Sequence, residues 1–337
     1  MPSPADSERP VTVLVTGATG FVGLNVLHAL AEAGHRIVGL ATNPLPPAAE
    51  LSLRAKTAKL TVENIDVRDH AALAEAWRRH RPEVVIHAAT ITAGGARERS
   101  NAHEIVEVNV GGTQCVLDAC SAVGVRRMLY VSSGAVYGDL TFGSEPLDEQ
   151  THAAPTGLYG ITKLTGEQLV SRHGQLHDVE TLAVRLSAVF GRWEYPTGLR
   201  DLMSPMLQLA LAARRGETSR YVPDADRNWI SVSDASTALV RLALGPAPTH
   251  DCYNACPPVR FGVGSWIDRL RDAYPSARFD PVDPADATIG YDGDPRRQRA
   301  PVRAERIEQE LGADWWTDPD TALDDYIEWF TSQTGWL

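Results

Sequence analysis

Apolar positions along this chain fall into two alternating rhythms. From Val11 to Gly17 the run VTVLVTG is almost wholly apolar and rich in β-branched residues, as in a strand covered on both faces. From Phe21 the spacing becomes helical, with Val22, Val26, Leu27 and Leu30 on one side and Gly34 placed to end the helix. The same exchange then recurs. RIVGLAT (36–42) and LTVENIDVRD (60–69) read as strands, HAALAEAWRRH (70–80) as a helix and EVVIHAAT (83–90) as a strand. AHEIVEVNVGGTQCVLDACSAVG (102–124) reads as one long helix and RRMLYVSS (126–133) as a strand. GLYGITKLTGEQLVSRHG (157–174) follows as a helix and ETLAVRLSAVFG (180–191) as a strand.

Strand–helix alternation of this kind predicts an α/β fold, a doubly wound parallel sheet with helices on both faces, over residues 11–190. Beyond Gly191 the texture changes. RWEYPTGLRDLMSP and DPVDPADATIGYDGDPRRQRAP are rich in Pro, Asp and Gly, and predict a smaller C-terminal substrate-binding lobe over 191–337, with part of 225–250 returning to the first domain. The segment WWTDPDTALDDYIEWFTSQ closes the chain with a helix. Residues 1–10, MPSPADSERP, lack the apolar centre of a signal peptide and read as a disordered leader.

Charge narrows the field. Lys and Arg number 32 against 43 Asp and Glu, a formal net charge of -11, which disfavours nucleic-acid binding. No apolar run is long enough to cross a membrane. Cys115, Cys120, Cys252 and Cys256 have no zinc spacing and no histidine pair to complete a site, so no metal is expected; they read as free thiols of a cytoplasmic protein.

Three glycines, Gly17, Gly20 and Gly23, stand where the first strand gives way to the first helix. In that place one glycine permits a tight turn, one lets backbone approach a pyrophosphate, and one lets helix and sheet pack closely. The free N–H groups of the helix start then hold the phosphate. TGATGFVG in this setting resembles the TGxxGxxG turn of the extended short-chain dehydrogenase/reductases, also called NAD-dependent epimerase/dehydratases. The resemblance runs from Val11 to the terminal helix and implies a Rossmann-type fold binding NAD or NADP. It implies cofactor contacts from Thr19, Phe21 and Val22 in the turn, from Asp66 and Val67 beside the adenine, from Ala88, Ala89 and Thr90 at a strand end, and from Asn109, Leu186 and Ser187. The acid that would hold an NAD ribose is replaced by Ala41, leaving Thr42 and Asn43 to serve either cofactor.

YGITK places Tyr159 and Lys163 at i and i+4, on one face of a helix. A tyrosine ionises near pH 10, too high for a base at neutrality, and a lysine ammonium and a positive nicotinamide beside it would favour the phenolate. Tyr159 would then exchange a proton with an alcohol as hydride leaves or reaches its carbon. The resemblance adds Ser133, with Ser132 as its neighbour, to orient the reacting oxygen, and makes Tyr159 and Lys163 cofactor contacts as well. It places Arg227, in RNWISVSD, with Ser133 at the substrate; Thr90, Gly134, Arg192 and Arg299 are further candidates there, and Arg296 and Arg297 are cations of the same loop as Arg299. Gly134 and Ala135 stand where the family's dehydratases carry an Asp–Glu pair, which disfavours elimination of water. The expected activity is epimerisation at a secondary alcohol of a sugar-like, nucleotide-linked substrate. The alternative is net oxidation or reduction of a free sugar acid, polyol or small carbonyl compound. Ala188 in place of an asparagine, and the lack of a lysine in HAATITAGGARERS, depart from nucleotide-sugar enzymes, and the complete Ser–Tyr–Lys set disfavours a cofactor-sensing regulator. Trp193, Glu194, Tyr195 and Arg200 with Arg192 fit either a sugar pocket or packing within the lobe. A homodimer through the helices at 101–123 and 156–173 is also implied.

Overall fold

Val13, Leu14 and Val15 point to alternate faces of β1 (Thr12–Thr16), yet none has accessible surface. In this computed structural model, which describes residues 10–333, β1 is the centre of a sheet with helices on both sides. The leader read over residues 1–10 lies outside the described residues except for Pro10.

The sheet takes in β1, β2 (Arg36–Ala41), β3 (Leu60–Asn64), β4 (Val84–His87), β5 (Arg127–Ser133) and β6 (Glu180–Leu186). The chain then leaves it: β7 (Ala188–Phe190), β8 (Thr218–Tyr221) and β9 (Trp229–Ser231) belong to the lobe, and β10 (Cys252–Ala255) returns. The order is β10-β6-β5-β4-β1-β2-β3, with every pairing parallel. The order reverses between β1 and β4, so a crevice opens beyond their carboxyl ends.

The helices are α1 (Phe21–Glu32), α2 (Pro47–Lys56), α3 (His70–His80), α4 (Gly95–Val106), α5 (Gly112–Val123), α6 (Leu158–Leu176), α7 (Pro205–Arg214), α8 (Val232–Leu244), α9 (Gly264–Ala273), α10 (Glu305–Leu311) and α11 (Pro319–Ser332). α1 and α8 cover one face with Val13, Val15 and Ile86; α3, α5 and α6 cover the other with Leu14, Val38 and Val85. Each such side chain, fully buried, contributes about 1.5–3 kcal/mol, which is why both rhythms were so plain in the sequence. A separate apolar cluster builds the lobe around Phe190, Trp229, Trp266, Tyr326 and Phe330. The return to the large layer extends past residue 250, through β10 and α10.

Four expectations need correction. The helix read over 102–124 is broken: α4 begins at Gly95, kinks at Asn101 (φ -147°, ψ 42°), and passes through a π-helical turn (Glu107–Gly111) before α5 starts. The break follows from long-range contacts, since the Asn109 carboxamide is drawn to the Ile91 backbone and a Cβ on Gly112 would stand 2.5 Å from Val67. The strand read over 60–69 ends at Asn64, which leaves Asp66 in a loop. The strand read over 180–191 splits at Ser187, where the chain passes from the large sheet to a β7–β9 pair. The last helix starts at Pro319, capped by the Asp318 carboxylate, and not at Trp315. α2, with proline in its first turn, is a further element between the two expected strands β2 and β3.

Candidate active site at the switch point

A cavity of about 1190 Å³ occupies the crevice between the sheet and the lobe. Its floor is the glycine turn. Gly17 has φ +64°, a left-handed conformation that a side chain would strain. A Cβ on Gly23 would collide with the Gly17 carbonyl, so Gly23 packs against the turn itself and not, as expected, against the sheet. Gly20 occupies the N-cap of α1 without a side-chain cap, and the first turn holds no acid. The leading N–H groups of α1 therefore lie open at the crevice, as a bound diphosphate requires. A dinucleotide fits this donor set.

Most of the sequence-derived residues come together on the wall of this cavity. They are Thr19, Gly20, Phe21, Val22 and Gly23 with Gly17; Thr42 and Asn43; Asp66 and Val67; Ala88, Ala89 and Thr90; Ser133, Gly134, Tyr159 and Lys163; Leu186 and Ser187; and Arg227 and Arg299. Two do not reach it. Asn109 is buried behind the wall, accepting from Ile91 N at 2.7 Å and donating to Thr162 Oγ1 at 3.0 Å, so it braces a strand end against α6. Arg192 is turned outward toward the Asp325 carbonyl, because Gly191 (φ +130°) and Trp193 (φ +64°) send the Trp193 ring inward instead. Trp193 stacks on His28 of α1, joins the apolar cluster on that face of the large sheet and meets Trp329, so it packs and does not line a pocket, whereas Tyr195 and Arg200 do line the cavity.

Tyr159 and Lys163 rise one helical turn apart from the start of α6. Lys163 Nζ donates to the Val131 carbonyl at 2.8 Å and lies 5.8 Å from the centre of the Tyr159 ring. Burial pushes the lysine down to about 7, with Glu167 opposing. Burial also raises the Tyr159 phenol, while the hydroxyls of Ser133 and Thr92 and the charge of Arg200 pull it back. Ser133, Thr92 and Arg200 thus add to the pull expected from Lys163 and a bound nicotinamide. Beneath the pair, Glu167 is held by Arg185 at 2.7 Å and 2.9 Å and accepts the Ser132 hydroxyl at 2.5 Å. Ser132 is thereby committed, and Ser133 is the serine left beside Tyr159.

At the lobe end, Arg227 and Arg299 line the cavity together. Arg227 Nε and Nη2 and Arg299 Nε are buried without a hydrogen-bond partner. Burial lowers Arg227, and it lowers Arg299 to about 10 with help from the charge of Arg227. Arg297 and Arg299 flank Phe142, at 3.6 and 4.2 Å from its ring centre. Arg296 instead pairs with Asp294 and Asp283 at the surface. Unsatisfied guanidinium groups converging in a crevice suit a multiply charged anion.

Residues 192–201 cross between the two rims. On one side Asn25 donates to the Arg192 carbonyl at 2.9 Å, Tyr195 to the Thr19 carbonyl at 2.5 Å, and Asn43 to the Thr197 carbonyl at 3.0 Å. On the other, Thr92 N donates to Leu199 O at 2.8 Å and Arg97 to Gly198 O at 2.8 Å. Neither this strap nor the part played by Thr92 was foreseen in the sequence; a second hydroxyl residue in HAATIT was the one available sign.

Residues 13–256 match the model of the NAD dependent epimerase/dehydratase family. The chain is 30% identical over 275 residues to the UDP-glucose 4-epimerase of Mycolicibacterium smegmatis, covering 80% of this chain and 84% of that one. A solved UDP-glucose 4-epimerase from Thermotoga maritima, with UDP-glucose, shares the fold at a TM-score of 0.78 and 19% identity over 95% of this chain and 99% of that one. A UDP-glucuronic acid 4-epimerase from Bacillus cereus, in complex with UDP-glucuronic acid and NAD, does so at a TM-score of 0.76 and 18% identity over the same shares, 95% and 99%. The glycine turn, the parallel order and the Tyr159–Lys163 helix thus have a common origin: the chain belongs to the NAD dependent epimerase/dehydratase family.

Proposed function

We propose that this protein is a nucleotide-sugar epimerase that inverts a secondary alcohol carbon of the sugar ring by removing and returning hydride. The observation that carries the reading is the pairing, in one cavity, of the Ser133–Tyr159–Lys163 group with the buried, unsatisfied guanidinium nitrogens of Arg227 (Nε, Nη2) and Arg299 (Nε). The first suits an alcohol and the second a diphosphate. The name of the Mycolicibacterium relative supports the same substrate class.

In this reading the glycine turn and the open N-terminus of α1 hold the cofactor diphosphate, and Thr42, Asn43 and Asp66 border its adenosine. Bound there, the nicotinamide supplies a hydride acceptor and then a hydride donor. Ser133 and Thr92 hold the substrate hydroxyl against Tyr159. The Tyr159 oxygen takes the hydroxyl proton as hydride leaves, then gives it back once the ketone has presented its other face. Lys163 shares the buried site with the phenol and offsets the charge that forms on it. Arg227 and Arg299 grip the phosphates while the sugar turns.

A net dehydrogenase would use the same group but exchange its cofactor each cycle. The strap over residues 192–201 favours retention and therefore epimerisation. Pairing of two copies through α4, α5 and α6, where Val106 and Ile161 are exposed, belongs to the same reading, as does a cytoplasmic location. No described helix is long and apolar enough to cross a membrane. The test is incubation with UDP-hexoses and UDP-uronic acids, read by proton NMR: inversion without net NADH supports the reading, and net NADH refutes it.

A further inference from the structure

α6 carries Tyr159 in its first turn, but it has no side-chain cap of its own. Gly157 occupies the N-cap, and the first turn contains no acid. The missing acceptor comes from α4. Glu98 Oε1 accepts the Leu158 backbone N–H at 2.9 Å, across sixty residues of chain. A Cβ on Gly157 would lie 3.3 Å from the same oxygen, so a glycine here leaves room for the carboxylate. Leu158 immediately precedes Tyr159, and Glu98 itself stands on the cavity wall.

The same turn of α4 is fastened to the lobe. Gly94 N donates to Asp201 Oδ2 at 2.8 Å, and Arg97 reaches Asp201 Oδ1 at 3.0 Å as well as the Gly198 carbonyl. The kink at Asn101 separates this turn from the rest of α4. Residues 92–98 therefore touch the lobe with one side and the start of the tyrosine helix with the other.

We propose that Glu98 is a positioning residue for Tyr159: capping α6 from α4, it sets the first turn of the tyrosine helix in register with the substrate lobe. This rests on the reading of Tyr159 as the proton-transfer group. An uncapped helix start frays, and fraying here moves the residue that must meet the substrate oxygen. A small displacement of a reacting group costs rate more than binding.

The test compares E98A, which removes the acceptor, with E98Q, which keeps an acceptor oxygen. NAD-loaded protein labelled with 13C at the tyrosine Cζ is used, with the Tyr159 signal assigned by Y159F. The Tyr159 signal should shift or broaden in E98A and keep its wild-type position in E98Q. In turnover of a UDP-hexose, E98A should lose about fivefold in kcat with KM unchanged, as loss of one cap implies, and E98Q should stay within about twofold. An unmoved Tyr159 signal in E98A, or an equal loss in E98Q, overturns the proposal. E98D, whose shorter side chain falls short of Leu158 N, replaces E98A if that variant does not fold. Absence of any turnover by the wild type would count against the epimerase reading alone, because the tyrosine spectrum still decides the role of Glu98.

Discussion

The Asn43 side-chain amide donates to the Thr197 carbonyl at 3.0 Å, joining the end of β2 directly to the lobe. Together with the Tyr195–Thr19 hydrogen bond at 2.5 Å, it closes the adenosine side of the crevice. Each bond is worth about 1 kcal/mol. Removing both in an N43A/Y195F double variant should speed NAD release by about thirtyfold, measured by stopped-flow cofactor fluorescence. An unchanged release rate would show that the strap does not retain the cofactor.

Replacing Tyr159 by phenylalanine removes one oxygen and little volume. Turnover should fall by about a thousandfold, within the range for loss of an acid–base group, while NAD affinity stays within a few-fold of wild type. Calorimetric NAD titration beside a rate assay separates the two effects.

Arg227 and Arg299 carry buried guanidinium nitrogens without partners. Hydrogen bonds to charged groups contribute about 1.5–3 kcal/mol, so R227M or R299M should weaken UDP binding by about ten- to a hundredfold. The folded protein should be no less stable, because each substitution relieves a buried, poorly paired cation. UDP titration and thermal melting of each variant check both statements.

Lys163 gives a pH prediction. Its folded-state value is pushed down to about 7 by burial, from an ordinary 10.5. Between those limits the unfolded chain holds a proton that the folded cofactor-free protein has released, so stability rises with pH across that window. K163M should lack this rise. Urea unfolding of both proteins between pH 6 and pH 10 would show it.

Much of this arrangement could be read from local pattern. Strands buried on both faces leave continuous apolar runs, and the turn at Gly17, Gly20 and Gly23 lies between a strand and a helix within a few residues. Tyr159 and Lys163 are neighbours on one helix, so their spacing alone pairs them. What the sequence hid depends on distant contacts. The π-helical turn at Asn109 exists because Ile91 binds its carboxamide, and Arg192 points outward because Trp193 takes the inward place. Thr92 and Arg200, distant in the chain but bridged to each other, both act on Tyr159, and Glu98 caps a helix sixty residues away. No local spacing encodes such meetings.

In the proposed reaction hydride leaves and returns to one carbon within one binding event. UDP-glucose bearing deuterium at C4 tests it directly, with products followed by NMR and mass spectrometry. The expected product is the C4 epimer with deuterium kept at C4 and no net NADH. A keto product with stoichiometric reduced cofactor, or an epimer that has lost its deuterium, would contradict it.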